Sequence, residues 1–80
     1  MGGTNLKILN VNASRISRLD RILNLLAFLR SLGPNIICIQ EINIMEASRV
    51  FKEYYQVIIN GDDNMGEGIG IMTLIDKKYL

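Results

Sequence analysis

The chain has 80 residues, of which 49% are hydrophobic, and this combination fits one small globular domain or a piece of a larger one and excludes disorder. Nine Lys and Arg against eight Asp and Glu give a formal charge of +1, so no overall positive field attracts nucleic acid. The absence of histidine excludes serine triads, histidine general bases and most zinc sites within these residues.

Membrane and redox signals are both weak. No stretch approaches the roughly 18 consecutive apolar residues of a membrane span, so we expect no membrane contact. The single cysteine, Cys38, lies inside an apolar run and cannot form an internal disulfide. We interpret it as a small buried hydrophobe in a reducing compartment, which predicts an intracellular location, cytoplasmic or nuclear.

The first half of the chain predicts a strand, a helix and a second strand. Within residues 5–12, apolar side chains occupy both even and odd positions, which is typical of a strand covered on both faces. Apolar residues then recur at helical spacing over 18–32, with Ser17 as the expected N-cap and Gly33 ending the helix. The apolar run 35–40 is the second strand. Such a unit is almost always a right-handed crossover between parallel strands.

The second half predicts a short helix followed by a hairpin. Residues 44–55 carry apolar side chains at helical spacing, and residues 55–59 and 68–75 have the composition of strands. We expect the turn-rich segment 61–68 to be the hairpin loop. A calcium loop is the weaker interpretation, because no bidentate glutamate follows at the right place.

Polar side chains end both of the predicted parallel strands. The first strand ends in Asn10 and Asn12, and the second ends in Gln40 and Glu41. Because the carboxyl ends of parallel strands meet at one edge, where ligands bind in open α/β sheets, we expect these side chains to be neighbours. A carboxylate beside carboxamides suits Mg²⁺, which takes oxygen ligands. The structural alternative is that Glu41 simply faces water and that both asparagines bind local backbone.

Three motifs in chain order carry a family resemblance. LNVN (9–12), LGPNIICIQE (32–41) and GEGIGIM (66–72) resemble the N-terminal part of the exonuclease–endonuclease–phosphatase superfamily. The leucine that opens the first motif, where abasic-site endonucleases commonly have tryptophan, is most similar to the endonucleases of LINE-type (non-LTR) retrotransposons. The resemblance covers about residues 5–78, and its most specific element is the I-x-x-I-Q-E pattern of the second strand.

The resemblance implies a fold and a set of roles. The fold is α/β, the N-terminal half of a DNase I-like four-layer αββα sandwich, with a β-α-β unit followed by a short helix and a β-hairpin. By position, Glu41 matches a metal-binding glutamate for Mg²⁺ or Mn²⁺, and Asn10 matches an asparagine that positions catalytic groups; both are the catalytic candidates. Asn12 matches a position that supports the metal site, and Ala13 departs from the glycine usual after it.

The resemblance also implies parts that these residues do not include. The tyrosine-bearing loop, the Asp-x-Asn segment and the closing Asp-His pair of the family have no counterpart here, so residues 1–80 are expected to be a domain truncated at its C-terminal side. We expect this chain alone to be inactive, and the complete domain to pair with the missing C-terminal half and to bind DNA. Arg15 is the candidate nucleic-acid contact, whereas Arg18 and Arg21 are interpreted as solvated.

Two other functions stay open at the level of sequence. One is a non-catalytic scaffold or degenerate fragment, in which an exposed apolar sheet face drives self-association. The other is a phosphoesterase of lipid or nucleotide substrates from the same superfamily, because substrate choice in that family depends on loops that these residues lack.

Overall fold

A computed structural model describes residues 6–60 and 68–80, which form a small α/β structure with a four-stranded mixed sheet. The elements in chain order are β1 (Ile8–Ile16), α1 (Leu19–Leu32), β2 (Ile36–Asn43), α2 (Ile44–Phe51), β3 (Tyr55–Asn60), β4 (Ile69–Asp76) and a 3₁₀ turn (Lys77–Tyr79). The strand order across the sheet is β1-β2-β4-β3. The predicted α/β class is confirmed, whereas the loop expected at 61–68 lies, apart from Gly68, outside the described residues.

Strand pairing follows the sequence pattern. β1 and β2 are parallel and are joined by α1, while β3 and β4 are an antiparallel pair. β4 also pairs with β2 in the antiparallel sense, so β1 and β3 are the edges of the sheet. The predicted parallel β-α-β unit and the predicted hairpin are both confirmed. The parallel pairing places the carboxyl ends of β1 and β2 at the same edge.

The ends of α1 test two predictions about capping. Gly33 adopts the left-handed conformation (φ 65°), and its N–H donates to the Leu29 carbonyl at 3.2 Å, which confirms the predicted C-terminus. The predicted N-cap, Ser17, is wrong, because Arg18 occupies that position with extended φ and ψ and no side-chain cap bond. Because the N-cap lies one residue later than predicted, Asp20 is the second residue of the helix (N2) and cannot close a capping box. Its carboxylate instead pairs with the Arg18 guanidinium at 3.0 Å.

The hydrophobic core lies between one face of the sheet and the two helices. Its largest buried side chain is Tyr55 of β3, and the fully buried residues of α1, α2 and the two central strands include Ile22, Leu29, Ile37, Ile39, Phe51, Met72 and Leu74. Gly70 of β4 allows α2 to approach closely, because a Cβ there would lie 2.5 Å from Ile44 Cδ1. No described helix is long and apolar enough to cross a bilayer.

The opposite side of the sheet, which we call the open face, is covered by neither helix. Side chains alternate between the two faces along each strand, and the strand registers then assign eleven residues to the open face: Ile8, Asn10, Asn12, Ile36, Cys38, Gln40, Gln56, Ile58, Ile71, Thr73 and Ile75. The expectation that β1 is covered on both faces is therefore wrong, since Ile8 is 54% exposed. Cys38 is only partly buried for the same reason.

Burial of Tyr55 makes a pH-dependent contribution to stability. The ring of Tyr55 packs edge-to-face on Phe51, and burial raises the pKa of its hydroxyl above the ordinary 10.0, opposed by the charge and hydrogen bond of Arg30. The contribution of Tyr55 is therefore complete below the pKa of the unfolded chain and is lost as the pH rises through the higher native pKa.

We expect the free energy of unfolding, measured with urea, to fall as the pH rises above about 10. The fall should be smaller in Tyr55→Phe, which has no phenol at this position. Tyr54→Phe, at an exposed neighbouring position, is the control and should follow the wild type. An unchanged pH slope in Tyr55→Phe would contradict the assignment.

Candidate functional site

The ends of β1 and β2 bring together two of the predicted site residues. Asn12 lies opposite Gln40 in the parallel register, and its Nδ2 donates to Glu41 Oε2 at 2.9 Å. The two hydrogen-bonded residues are 29 positions apart in the chain, so only the crossover makes them neighbours. Both residues are exposed. We call this pair the candidate site.

Glu41 lies at an irregularity in β2. The register between β2 and β4 shifts between Ile39 and Ile42, and Glu41 has φ 56°. A left-handed backbone costs a non-glycine residue about 1–2 kcal/mol, and glutamate has no short side chain to offset it locally. Such bulges redirect a side chain and are frequent near active sites. The strained backbone therefore favours a functional reason for the direction in which the Glu41 side chain points.

A second irregularity lies beside the first, in β1. The β1–β2 register shifts between Asn12 and Ile16, and Ser14 and Arg15 both have left-handed φ, 54° and 63°. Asn12 Oδ1 accepts the N–H of Ser14 at 2.8 Å, which forms an Asx turn. Asn12 therefore makes both the local backbone bond that the structural alternative predicted and the bond to Glu41. One side chain fixes both the β1 bulge and the orientation of the carboxylate.

Asn10 lies further from this edge than Asn12. It is exposed on the same open face, opposite Cys38 in the register and two residues before Asn12. At the usual rise of a strand, this places its Cα roughly 7 Å further back. The carboxamide that reaches Glu41 is therefore that of Asn12, and the catalytic role of Asn10 stays a prediction.

A basic depression of about 470 Å³ adjoins the candidate site between the end of β1 and the first turns of α1. Asn12 lines it together with three arginines, Arg15, Arg18 and Arg21. The guanidinium of Arg18 is partly neutralised by Asp20 at 3.0 Å. The depression shares Asn12 with the candidate site.

The donor set at the candidate site is small. Within 6–60 and 68–80, no three Asp, Glu, Cys or His side chains are grouped in a way that could hold a metal ion. Mg²⁺ often takes only one or two carboxylates and keeps waters and substrate phosphate as its other ligands. The Glu41 carboxylate, held by the Asn12 carboxamide, therefore fits a hydrated Mg²⁺ or Mn²⁺. It does not fit Ca²⁺, which takes six to eight oxygens.

Sequence reasoning found only part of the backbone geometry of this site. A local backbone bond at Asn12 was the structural alternative, and the Asn-Ala-Ser run after the apolar strand is its signal. The left-handed conformation of Glu41 had no signal, because glutamate rarely adopts it. Asn43, also missed, accepts the N–H of Glu46 at 3.0 Å as the N-cap of α2 and so starts that helix directly after the site.

The candidate site thus combines one exposed carboxylate, a carboxamide that orients it and a neighbouring basic depression. A carboxylate is an oxygen donor of the kind that Mg²⁺ takes. Comparison of the chain with protein-family models, with curated proteins and with solved structures finds no match.

Proposed function

We propose that the chain is part of a Mg²⁺-dependent phosphodiesterase, a DNA-nicking endonuclease of the retrotransposon type, with Glu41 as its metal-binding carboxylate. The observation that carries the proposal is the hydrogen bond from Asn12 to Glu41 at the carboxyl edge of two parallel strands. Ligands of open α/β sheets bind at that edge. The strained backbone on both sides of this bond supports a functional role over a packing role.

Each residue of the site has a defined task in this proposal. Glu41 would hold the ion through its exposed carboxylate, and Asn12 keeps that carboxylate in place through its Nδ2. Asn10, on the same face, orients the phosphate, and Arg15 contacts the nucleic-acid backbone. A bound Mg²⁺ supplies Lewis-acid polarisation of the phosphate and activation of a water.

The metal role is tested by Mn²⁺ titration of the ¹⁵N-labelled chain, with paramagnetic broadening of amide signals as the readout. We expect broadening centred on Asn12 and Glu41, and an affinity at least about tenfold lower in Glu41→Gln. Glu53→Gln removes an exposed carboxylate elsewhere and is the matched control. Broadening that is unchanged in Glu41→Gln, or centred on another carboxylate, would refute the metal site.

Catalysis by this chain alone is expected to be absent. The 80 residues contain no histidine, and a phosphodiesterase needs a base for the attacking water. A plasmid-nicking assay with Mg²⁺ should therefore show no cutting above buffer. Cutting that is lost on Glu41→Ala would overturn this prediction while supporting the metal site.

A second candidate function is a non-catalytic scaffold. The observation that favours it is the open face, a sheet surface with five isoleucines that is covered by neither described helix. Failure of the Mn²⁺ titration together with stable self-association would favour the scaffold over the endonuclease.

A further inference from the structure

All four lysines of the chain lie at one end of the structure, away from the candidate site. At this end β1, β2 and β3 begin and β4 ends, because β4 runs antiparallel to both β2 and β3. Lys7 precedes β1, and Lys52 precedes β3. Lys77 and Lys78 follow β4, and Arg30 lies in the last turn of α1. We call these five side chains the basic end.

Backbone hydrogen bonds connect the basic end across the whole sheet. The N–H of Asn35 donates to the Lys7 carbonyl at 2.9 Å, and the Asn35 carbonyl accepts the N–H of Asp76 at 2.9 Å. The next residue, Lys77, donates its N–H to the Tyr54 carbonyl at 3.1 Å. These bonds run from β1 through β2 and β4 to the start of β3, so the strands hold the basic residues in a row along one edge of the sheet.

Few acidic groups balance this charge. Among the described residues, the acidic side chains at this end are Glu53 and Asp76. Asp76 is buried, and its carboxylate lies 3.8 Å from the Lys78 Nζ. The basic side chains are exposed, and Lys52 and Lys77 have no ion-pair partner within the described part of the chain. The formal charge of +1 for the whole chain therefore conceals a local excess of positive charge.

An exposed aromatic ring lies among these charges. Tyr79, in the 3₁₀ turn after β4, is 56% exposed, and the Lys78 Nζ lies 5.9 Å from the centroid of its ring. The ring of Tyr54 is instead covered by the Arg30 guanidinium at 4.1 Å. Proteins that bind single-stranded nucleic acid without sequence preference combine basic groups along the phosphates with an aromatic ring on which a base stacks. The basic end has both parts.

We propose that the basic end binds a single strand of nucleic acid, without sequence preference and without a metal ion. Four strands about 4.8 Å apart give the row a length of roughly 14 Å. One strand of nucleic acid carries a phosphate about every 3.4 Å along its helix axis, so about four phosphates fit along the row. Lysines act on phosphates as point charges and need no base contact.

The same observations decide between this partner and others. A further layer of protein is disfavoured, because lysines and arginines are almost never fully buried unless they are paired. A row along a sheet edge fits a linear polyanion better than the flat surface of a membrane. The inference goes beyond the metal site and does not depend on it.

Fluorescence anisotropy of a labelled oligothymidine, measured with the full chain in EDTA, tests the proposal. We expect a dissociation constant of roughly 1–100 µM at about 50 mM salt, and an affinity at least about tenfold lower at about 200 mM salt. EDTA keeps the metal site out of the measurement. A failure of this binding is therefore distinct from a failure of the Mn²⁺ titration.

Two double variants remove the same charge from opposite ends of the structure. Lys52→Gln with Lys77→Gln should weaken binding at least about tenfold, because it removes two phosphate contacts. Arg18→Gln with Arg21→Gln, at the start of α1, is the control and should change binding less than about threefold. Tyr79→Leu, which keeps an apolar side chain but has no ring, should weaken binding at least about fivefold. All five positions are exposed, and circular dichroism checks that each variant is folded.

Three outcomes would overturn the proposal. Equal or greater loss in the arginine double variant would mean that binding follows net charge or occurs beside the candidate site. Unchanged binding in Tyr79→Leu would remove the stacking that selects a single strand. A chain that sediments with phosphatidylserine vesicles, or binds polyglutamate, while leaving the oligonucleotide free would assign the basic end to a lipid surface or to an acidic protein.

Discussion

Replacing Phe51 by alanine is expected to lower the free energy of unfolding by about 3–5 kcal/mol. Phe51 is fully buried at the end of α2 and packs edge-to-face on Tyr55, with ring centroids 6.2 Å apart. Truncation removes this contact and leaves a cavity between α2 and the sheet. Small domains are stable by only about 5–15 kcal/mol, so the loss would leave much of the chain close to unfolding.

Phe28→Ala is the matched control for this prediction. Phe28 lies on α1 and is 57% exposed, so the same truncation should cost less than about 1 kcal/mol. Urea denaturation followed by circular dichroism measures both variants. Similar losses for the two phenylalanines would contradict the assignment of the core to the space between the helices and one face of the sheet.

Glu41→Gly and Glu41→Val should differ in stability in the direction opposite to that expected in a regular strand. In a regular strand, valine is favoured over glycine by up to about 1 kcal/mol. At a left-handed position glycine has no steric cost, whereas a β-branched residue is a genuine outlier. Because Glu41 has φ 56°, we expect Glu41→Gly to be more stable than Glu41→Val by about 2 kcal/mol.

Both variants remove the carboxylate and the bond to Asn12, so their difference isolates the backbone conformation. The free energies of unfolding of the two variants, measured under the same conditions, give this difference directly. A more stable Glu41→Val would mean that β2 is regular at this position and that no bulge directs the Glu41 side chain.

Much of the fold was predictable because local chemistry determines it. Gly33 ends α1 where its left-handed conformation was expected, and the apolar run over 35–40 lies in β2, one of the two central strands. The parallel pairing of β1 and β2 follows from a helix between two short apolar strands. The neighbourhood of Asn12 and Glu41 follows from that pairing in turn, since it puts both strand ends at one edge.

The rest depended on tertiary geometry that a single sequence does not encode locally. The two bulges extend β1 to Ile16 and β2 to Asn43, well past the predicted ends, and their left-handed residues include no glycine to announce them. The start of α1 at Leu19 with Arg18 as its cap was missed, because Ser17 is the better capping residue by type. The uncovered face of β1 was missed because apolar residues at both parities predict cover on both sides.

The central claim is that the crossover places the Asn12 carboxamide against the Glu41 carboxylate, and a nuclear Overhauser measurement on the ¹³C,¹⁵N-labelled chain tests it directly. We expect cross-peaks between the side-chain amide protons of Asn12 and the γ-methylene protons of Glu41, as the bond of 2.9 Å requires. Cross-peaks from Asn12 to Ser14 and to its own strand, with none to Glu41, would contradict the site and the function proposed for it.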